Sequence, residues 1–259
     1  MPLVELNPGT SDWQDVKHAA LILWRASQIS DVTALQNDLR NYDTISAPTI
    51  INLHTGINRT RKAILINDQD TITIAFEGST DDEILVNLWT DGKGPNWWNL
   101  PYPCQKKLII AGYSMGGGVS TLGFTEIVEH VRHTYGSQCS SPQDWASDDT
   151  LGSLIQHLTF ASTGAGDMGY LTLLNELYGR YQIRAWDFLN HWDRTPLAPP
   201  YHFRNWRGHR YILPQEVTCH LGAGFGPIGH LIQGYYQSAE WMANHGLDQV
   251  KTAYRSGYA

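Results

Sequence analysis

The stretch Leu108-Ile109-Ile110-Ala111-Gly112-Tyr113-Ser114-Met115-Gly116-Gly117-Gly118 constrains the fold of this chain more than any other. Lys107 to Ala111 fits a buried strand, and the apolar positions Val119, Leu122, Ile127, Val128 and Val131 recur at helical spacing between Ser114 and Tyr135, with Gly136 placed to end the helix. A chain that passes from strand to helix in so few residues must turn sharply at Ser114. Glycines on either side of that turn let neighbouring backbone pass without a Cβ clash, and the serine hydroxyl is held outward. The competing reading is a helix N-terminus whose serine merely caps and whose glycines allow close packing. A strand before the turn and a helix after it favour a nucleophile.

Around this centre the patterns alternate. Trp13, Val16, Ala20, Leu23 and Trp24 predict an amphipathic helix over 12–28, with Ser11 or Asp12 as its cap, covering one face of a sheet. The β-branched runs 63–66 and 71–76 flank Asn67-Asp68-Gln69-Asp70 as a hairpin requires. Beyond the serine come predicted strands over 154–160 and 181–188, a helix over 170–178, a short strand at Tyr211-Ile212-Leu213 and a helix over 231–245. Strands alternating with helices predict a largely parallel sheet with helices on both faces. A chain of 259 residues is read as one α/β domain over 1–259, since no linker separates independently patterned halves.

Composition removes several function classes. With 18 Lys plus Arg against 25 Asp plus Glu, and no cationic cluster, nucleic acid is not expected as a partner. No run approaches the ~18 apolar residues of a membrane span, and the Met-Pro-Leu-Val-Glu start does not read as a signal peptide, so the expectation is a cytoplasmic protein. Three widely spaced cysteines, Cys104, Cys139 and Cys219, fit neither a disulfide framework nor a zinc knuckle. No HExxH or close His/Cys/Asp cluster suggests a metal, and no cofactor is expected.

Ile74-Ala75-Phe76-Glu77-Gly78-Ser79 resembles the oxyanion strand of the class 3, fungal-type triacylglycerol lipases, and Gly112-Tyr113-Ser114-Met115-Gly116-Gly117 resembles their GHSLGG-like elbow, with Tyr and Met where His and Leu are usual. The resemblance covers roughly 12–245 and implies an α/β-hydrolase-like fold without a cofactor. It implies Ser114 as nucleophile, and Ser79 and Met115 as oxyanion-hole residues through their backbone N–H groups. Acyl transfer needs such donors because charge develops on the carbonyl oxygen only in the tetrahedral intermediate.

In α/β-hydrolases the acid and then the base follow the serine in chain order. Asp193-Arg194-Thr195-Pro196-Leu197-Ala198-Pro199-Pro200 resembles the family's acid segment, which implies Asp193; Asp187, nearer a strand end but without the proline pattern, is the competitor. Of the later histidines, His230 precedes an aromatic-containing helix as the family's base does; His220 stands second, and His209 reads as structural, beside the last strand. A histidine base works as the neutral imidazole, so activity is expected to rise from mildly acidic to neutral pH.

The segment from Ser79 to Gly112 is shorter than in the family. Its Trp-rich loop, with Trp97 and Trp98, is expected either to wall an acyl site or to fill the space of a missing helix. The expected substrate is therefore a small-molecule or lipid ester, the latter bringing the chain into peripheral contact with a lipid interface. Two other readings stay open: a catalytically silent α/β-hydrolase fold that binds, and an acyltransferase using the same triad.

Overall fold

Where strands and helices alternate in the sequence, the chain builds one layer of sheet between two layers of helix. The computed structural model describes residues 10–46, 48–54, 61–78, 106–193, 210–213 and 229–245. Helices α1 (Thr10–Gln28) and α2 (Val32–Leu39) precede strands β1 (Thr49–His54), β2 (Arg61–Asn67) and β3 (Thr71–Phe76). Next come β4 (Lys107–Tyr113), α3 (Met115–Thr134), the single-turn α4 (Leu151–Leu154) and β5 (Ile155–Phe160). The order closes with α5 (Met168–Tyr181), β6 (Arg184–Asn190), β7 (Arg210–Leu213) and α6 (Ile232–His245).

Among the described residues seven strands form one sheet in sequence order, antiparallel from β1 to β3 and parallel from β3 to β7. The expected hairpin is β2–β3, closed where the Asp68 N–H donates to the Thr71 carbonyl at 2.9 Å. Because β4, β5 and β6 follow one another in one direction, the helices that connect them, α3 and α5, fall on the same face. The other face is covered from the two ends of the described chain, by α1 and α6.

The pleat sorts the core accordingly. Ile109 and Ala111 of β4 pack on the α1–α6 side, and Leu108 and Ile110 on the α3–α5 side. Register aligns the carboxyl ends of the parallel strands, with Phe76 opposite Gly112, Tyr113 opposite Phe160 and Asn190 opposite Leu213. Residues that follow these strands therefore gather along one edge, where open α/β sheets place their ligands.

Several expectations need correction. The first helix already includes Thr10, so Ser11 and Asp12 lie in its first turn instead of capping it, and Asp12 pairs with Arg184 at 2.9 Å. Tyr181 ends α5 and does not open a strand, because the helix runs on to a left-handed Gln182 with φ 53°. Helix α2, capped by the Asp31 carboxylate on the Ala34 N–H at 2.7 Å, and edge strand β1 were not expected. Each is short, and each depends on a neighbouring element for its partner.

Val119 and Leu122 face outward, 44% and 45% exposed, although they share the apolar spacing of α3. The buried side of the first turns of α3 is made instead of Gly116, Gly117, Gly118, Ser120, Thr121 and Gly123. The helix starts so close to the sheet that only small residues fit beneath it.

Candidate active site

Ser114 sits at the junction of β4 and α3 with φ 56° and ψ −124°, a backbone region that L-residues avoid and that costs about 1–3 kcal/mol. Such a conformation persists only if its surroundings over-determine it. Here the Ser114 N–H donates to the Phe160 carbonyl at 2.9 Å, and the Ser114 carbonyl accepts from the N–H groups of Gly117 at 3.0 Å and Thr163 at 3.2 Å. The flanking glycines are required by contact. A Cβ on Gly112 would lie 2.4 Å from the Gly116 carbonyl oxygen, and one on Gly116 would lie 2.3 Å from that of Glu77. The G-x-S-x-G spacing thus lets the strand, the helix and the end of β3 converge on the serine.

His230, two residues before α6, brings its Nε2 to 2.9 Å from Ser114 Oγ. Its Nδ1 lies 2.7 Å from Asp193 Oδ2. With Nδ1–H donating to the carboxylate, Nε2 is left as the acceptor for the serine hydroxyl, the tautomer a general base needs. The Asp193 side chain is fully buried while that of His230 keeps 17% of its surface, so the carboxylate is shielded and the imidazole remains reachable.

Behind this row lies a second layer that the sequence reading missed. Tyr235 Oη donates to the same Asp193 Oδ2 at 2.6 Å and accepts from the Asn190 N–H at 3.1 Å. Burial, reinforced by the negative charge of Asp193, pushes the Tyr235 hydroxyl well above its usual range, so it stays a donor. Asn190 joins the acid turn to the base turn: its carbonyl accepts from the Asp193 N–H at 2.9 Å and its Nδ2 donates to the Gly229 carbonyl at 3.2 Å. Tyr113, the residue before the serine, donates from Oη to the carbonyl of His230 itself. Burial raises its hydroxyl above the ordinary range too, which preserves that donor. The signals available in sequence were faint: a tyrosine five residues after His230, and an asparagine three before Asp193.

Asp187, the competing acid, is turned away from this row. It is fully buried and accepts from Arg210 Nε at 2.7 Å, from Thr159 Oγ1 at 2.8 Å and from the Ser162 N–H at 3.0 Å. A second serine–histidine contact, Ser120 Oγ to His157 Nε2 at 3.1 Å, lies beneath the elbow. Both residues are fully buried, His157 Nδ1 meets Tyr178 Oη at 2.7 Å, and its ring stacks on Phe124, so no substrate reaches that pair.

Of the remaining candidates, Met115 opens α3 directly after the serine. Ser79, Trp97, Trp98, His209 and His220 lie outside the described residues. Gly78, the residue before Ser79, does lie beside Ser114: a Cβ on it would be 3.2 Å from Ser114 Cβ. Among the described residues no group of three or more His, Cys, Asp or Glu side chains could hold a metal, and no helix is long and apolar enough to cross a membrane.

No protein-family model matches the chain, and no curated protein is similar to it in sequence. Its structure, however, is similar to that of a triacylglycerol lipase described as having a serine protease triad at its catalytic centre, with TM-score 0.51 and 14% identity over 78% of this chain and 79% of that one. The fold is α/β-hydrolase-like, a mostly parallel seven-stranded sheet with helices on its faces. Other similar structures are lipase II from Rhizopus niveus (TM-score 0.49, 14% identity, 79% of this chain and 81% of that one) and the Rhizomucor miehei lipase–propeptide complex (TM-score 0.49, 16% identity, 78% and 67%). At these identities the likeness is one of fold. The α/β-hydrolase architecture accounts for the gathering of Ser114, Asp193 and His230, which follow or precede different elements but meet at the carboxyl edge of one sheet.

Proposed function

We propose that this chain is a serine carboxylic-ester hydrolase acting on lipid esters of the acylglycerol type. One observation carries the reading: a continuous hydrogen-bonded row from Ser114 Oγ through His230 to the buried Asp193 carboxylate, mounted on a strained turn between strand and helix. In this reading Ser114 Oγ attacks the ester carbonyl while His230 takes its proton, and Asp193 orients the imidazole and stabilises its cation. The protonated His230 then gives the proton to the leaving alcohol. Water, deprotonated by the same residue, releases the acid from the acyl-enzyme.

Backbone N–H groups of Ser79 and Met115 serve as the oxyanion donors. Support comes from the closeness of Gly78 to Ser114 and from the position of Met115 at the start of α3. Trp97 and Trp98 form the acyl-chain wall, and lipid esters are favoured because the similar fold with TM-score 0.51 belongs to a triacylglycerol lipase. Labelling with a fluorophosphonate probe tests the reading, with Ser114→Ala as the blank, followed by hydrolysis of p-nitrophenyl esters of increasing chain length. Labelled wild type, unlabelled variant and a preference for longer chains are expected. A folded wild type that takes no label would overturn the hydrolase reading, and a Trp97→Ala/Trp98→Ala variant that loses short- and long-chain rates equally would remove the acyl-wall role.

A further inference from the structure

Asp187 and Arg210 form a buried ion pair that the catalytic row does not use, and its hydrogen bonds run to the end of β5 and to the turn that follows it. Asp187 Oδ1 accepts the Ser162 N–H at 3.0 Å, and Arg210 Nη2 donates to the Ser162 carbonyl at 2.8 Å. Both backbone groups of a single residue are thus held by the pair, while Thr159 Oγ1 adds a third bond to Asp187 at 2.8 Å. Preceding Ser162 is Ala161, with φ 50°, a left-handed position for a residue that has a Cβ. Following it is Thr163, whose N–H donates to the Ser114 carbonyl.

This turn is the surface on which the nucleophile elbow rests. Phe160 before it accepts the Ser114 N–H, Thr163 after it binds the Ser114 carbonyl, and Ser162 fills the space over Gly117, where a Cβ would come within 2.7 Å of the Ser162 side chain. Two strained backbones, at Ser114 and Ala161, therefore brace each other. The second is held by its own N–H on the Phe188 carbonyl at 2.8 Å and by the charge pair on Ser162, the residue that follows it.

We propose that Asp187 and Arg210 are positioning residues for Ser114: the pair clamps Ser162, the clamped turn holds both backbone groups of the nucleophile, and the serine hydroxyl is thereby aimed at His230. The catalytic part of this inference rests on Ser114 being the nucleophile; the structural part does not. Apolar replacement separates positioning from stability, because a buried ion pair exchanged for well-packed side chains of similar volume is often neutral or stabilising, whereas nothing apolar can bind the Ser162 N–H and carbonyl.

The experiment uses Asp187→Leu/Arg210→Met and, should that variant not fold, Arg210→Lys, which keeps the charge but loses the planar fork. Amide hydrogen exchange at Ser114 and Thr163 is compared with that at Leu108 to Ala111 in β4, and fluorophosphonate labelling and ester kcat and KM are measured beside it. The expected result is exchange at Ser114 and Thr163 at least about ten-fold faster with the β4 amides unchanged, labelling and kcat lower by about ten- to a hundred-fold, and KM within about three-fold. Arg210→Lys should show smaller changes in the same direction. Wild-type exchange at Ser114 and Thr163 in a folded variant overturns the clamp. Faster exchange with wild-type kcat overturns its catalytic role, and a wild-type protein that takes no label removes the hydrolase reading while exchange still decides the clamp.

Discussion

Replacing Gly116 by alanine puts the geometry of the elbow under a single, calculable stress. The new Cβ would lie 2.3 Å from the Glu77 carbonyl oxygen, 2.4 Å from that of Phe76 and 2.7 Å from the Glu77 carbonyl carbon, all backbone atoms that no rotamer change can move. Restoring ordinary van der Waals contact requires helix α3 and the end of β3 to separate by about 1 Å. Overpacking of this kind costs about 1–3 kcal/mol of stability. The displacement falls between Ser114 and the segment leading to Ser79, so the proposed oxyanion donors move relative to the nucleophile. A misplacement of about 1 Å is expected to lower kcat by roughly 10²-fold. The matched control is Gly179→Ala in α5, where an added Cβ meets nothing within 4 Å. There the helix gains up to about 1 kcal/mol and activity should not change. Urea unfolding and ester hydrolysis on both variants make the comparison. If Gly116→Ala retains wild-type kcat, the claim that the elbow tolerates no Cβ because of catalysis-relevant backbone contact is wrong.

Three further expectations follow from the described contacts. Asp193→Asn should lower kcat by about 10⁴-fold through the wrong histidine tautomer, and Asp187→Asn by far less; equal losses would unseat Asp193 as the acid. Tyr235→Phe removes a donor from the Asp193 carboxylate and an acceptor from the Asn190 N–H, so kcat should fall by about ten-fold while KM holds; an unchanged kcat would count against Tyr235 holding Asp193 in place. His18 lies buried against Thr73, with burial lowering its pKa below the usual 6.5, so the unfolded chain binds the extra proton and stability should fall as pH drops below about 6.5. His18→Gln should flatten that slope by up to ~1.4 kcal/mol per pH unit in urea titrations, and an unchanged slope would refute the assignment.

The turn at Ser114, its strand and its helix were legible from the residues because everything that specifies them is contiguous. A continuous apolar run with β-branched residues marks β4, helical spacing marks α3, and two glycines mark the turn between them. The hairpin β2–β3 and the terminal helices α1 and α6 were equally local and equally readable. Order along the chain and the motif resemblance also singled out Asp193 and His230. What residue patterns could not settle was how these side chains meet. The contact of Ser114 with His230 spans 116 residues and that of His230 with Asp193 spans 37, so both depend on where the sheet delivers its ends.

The same holds for what was misread. Periodicity gives α3 an apolar stripe that includes Val119 and Leu122, yet the contact of Gly112 with Gly116 draws the start of the helix so near the sheet that small residues take the inner face. Asp187 and Asp193 are two buried carboxylates six positions apart. Only packing separates them: strand β7 brings Arg210 to one, and the turn before α6 brings His230 to the other. Local pattern fixes which segments can be strand, elbow and helix, since those preferences are properties of neighbouring residues. The partners of each charge and hydroxyl are chosen by the sheet, because only its register brings distant strand ends within hydrogen-bond reach.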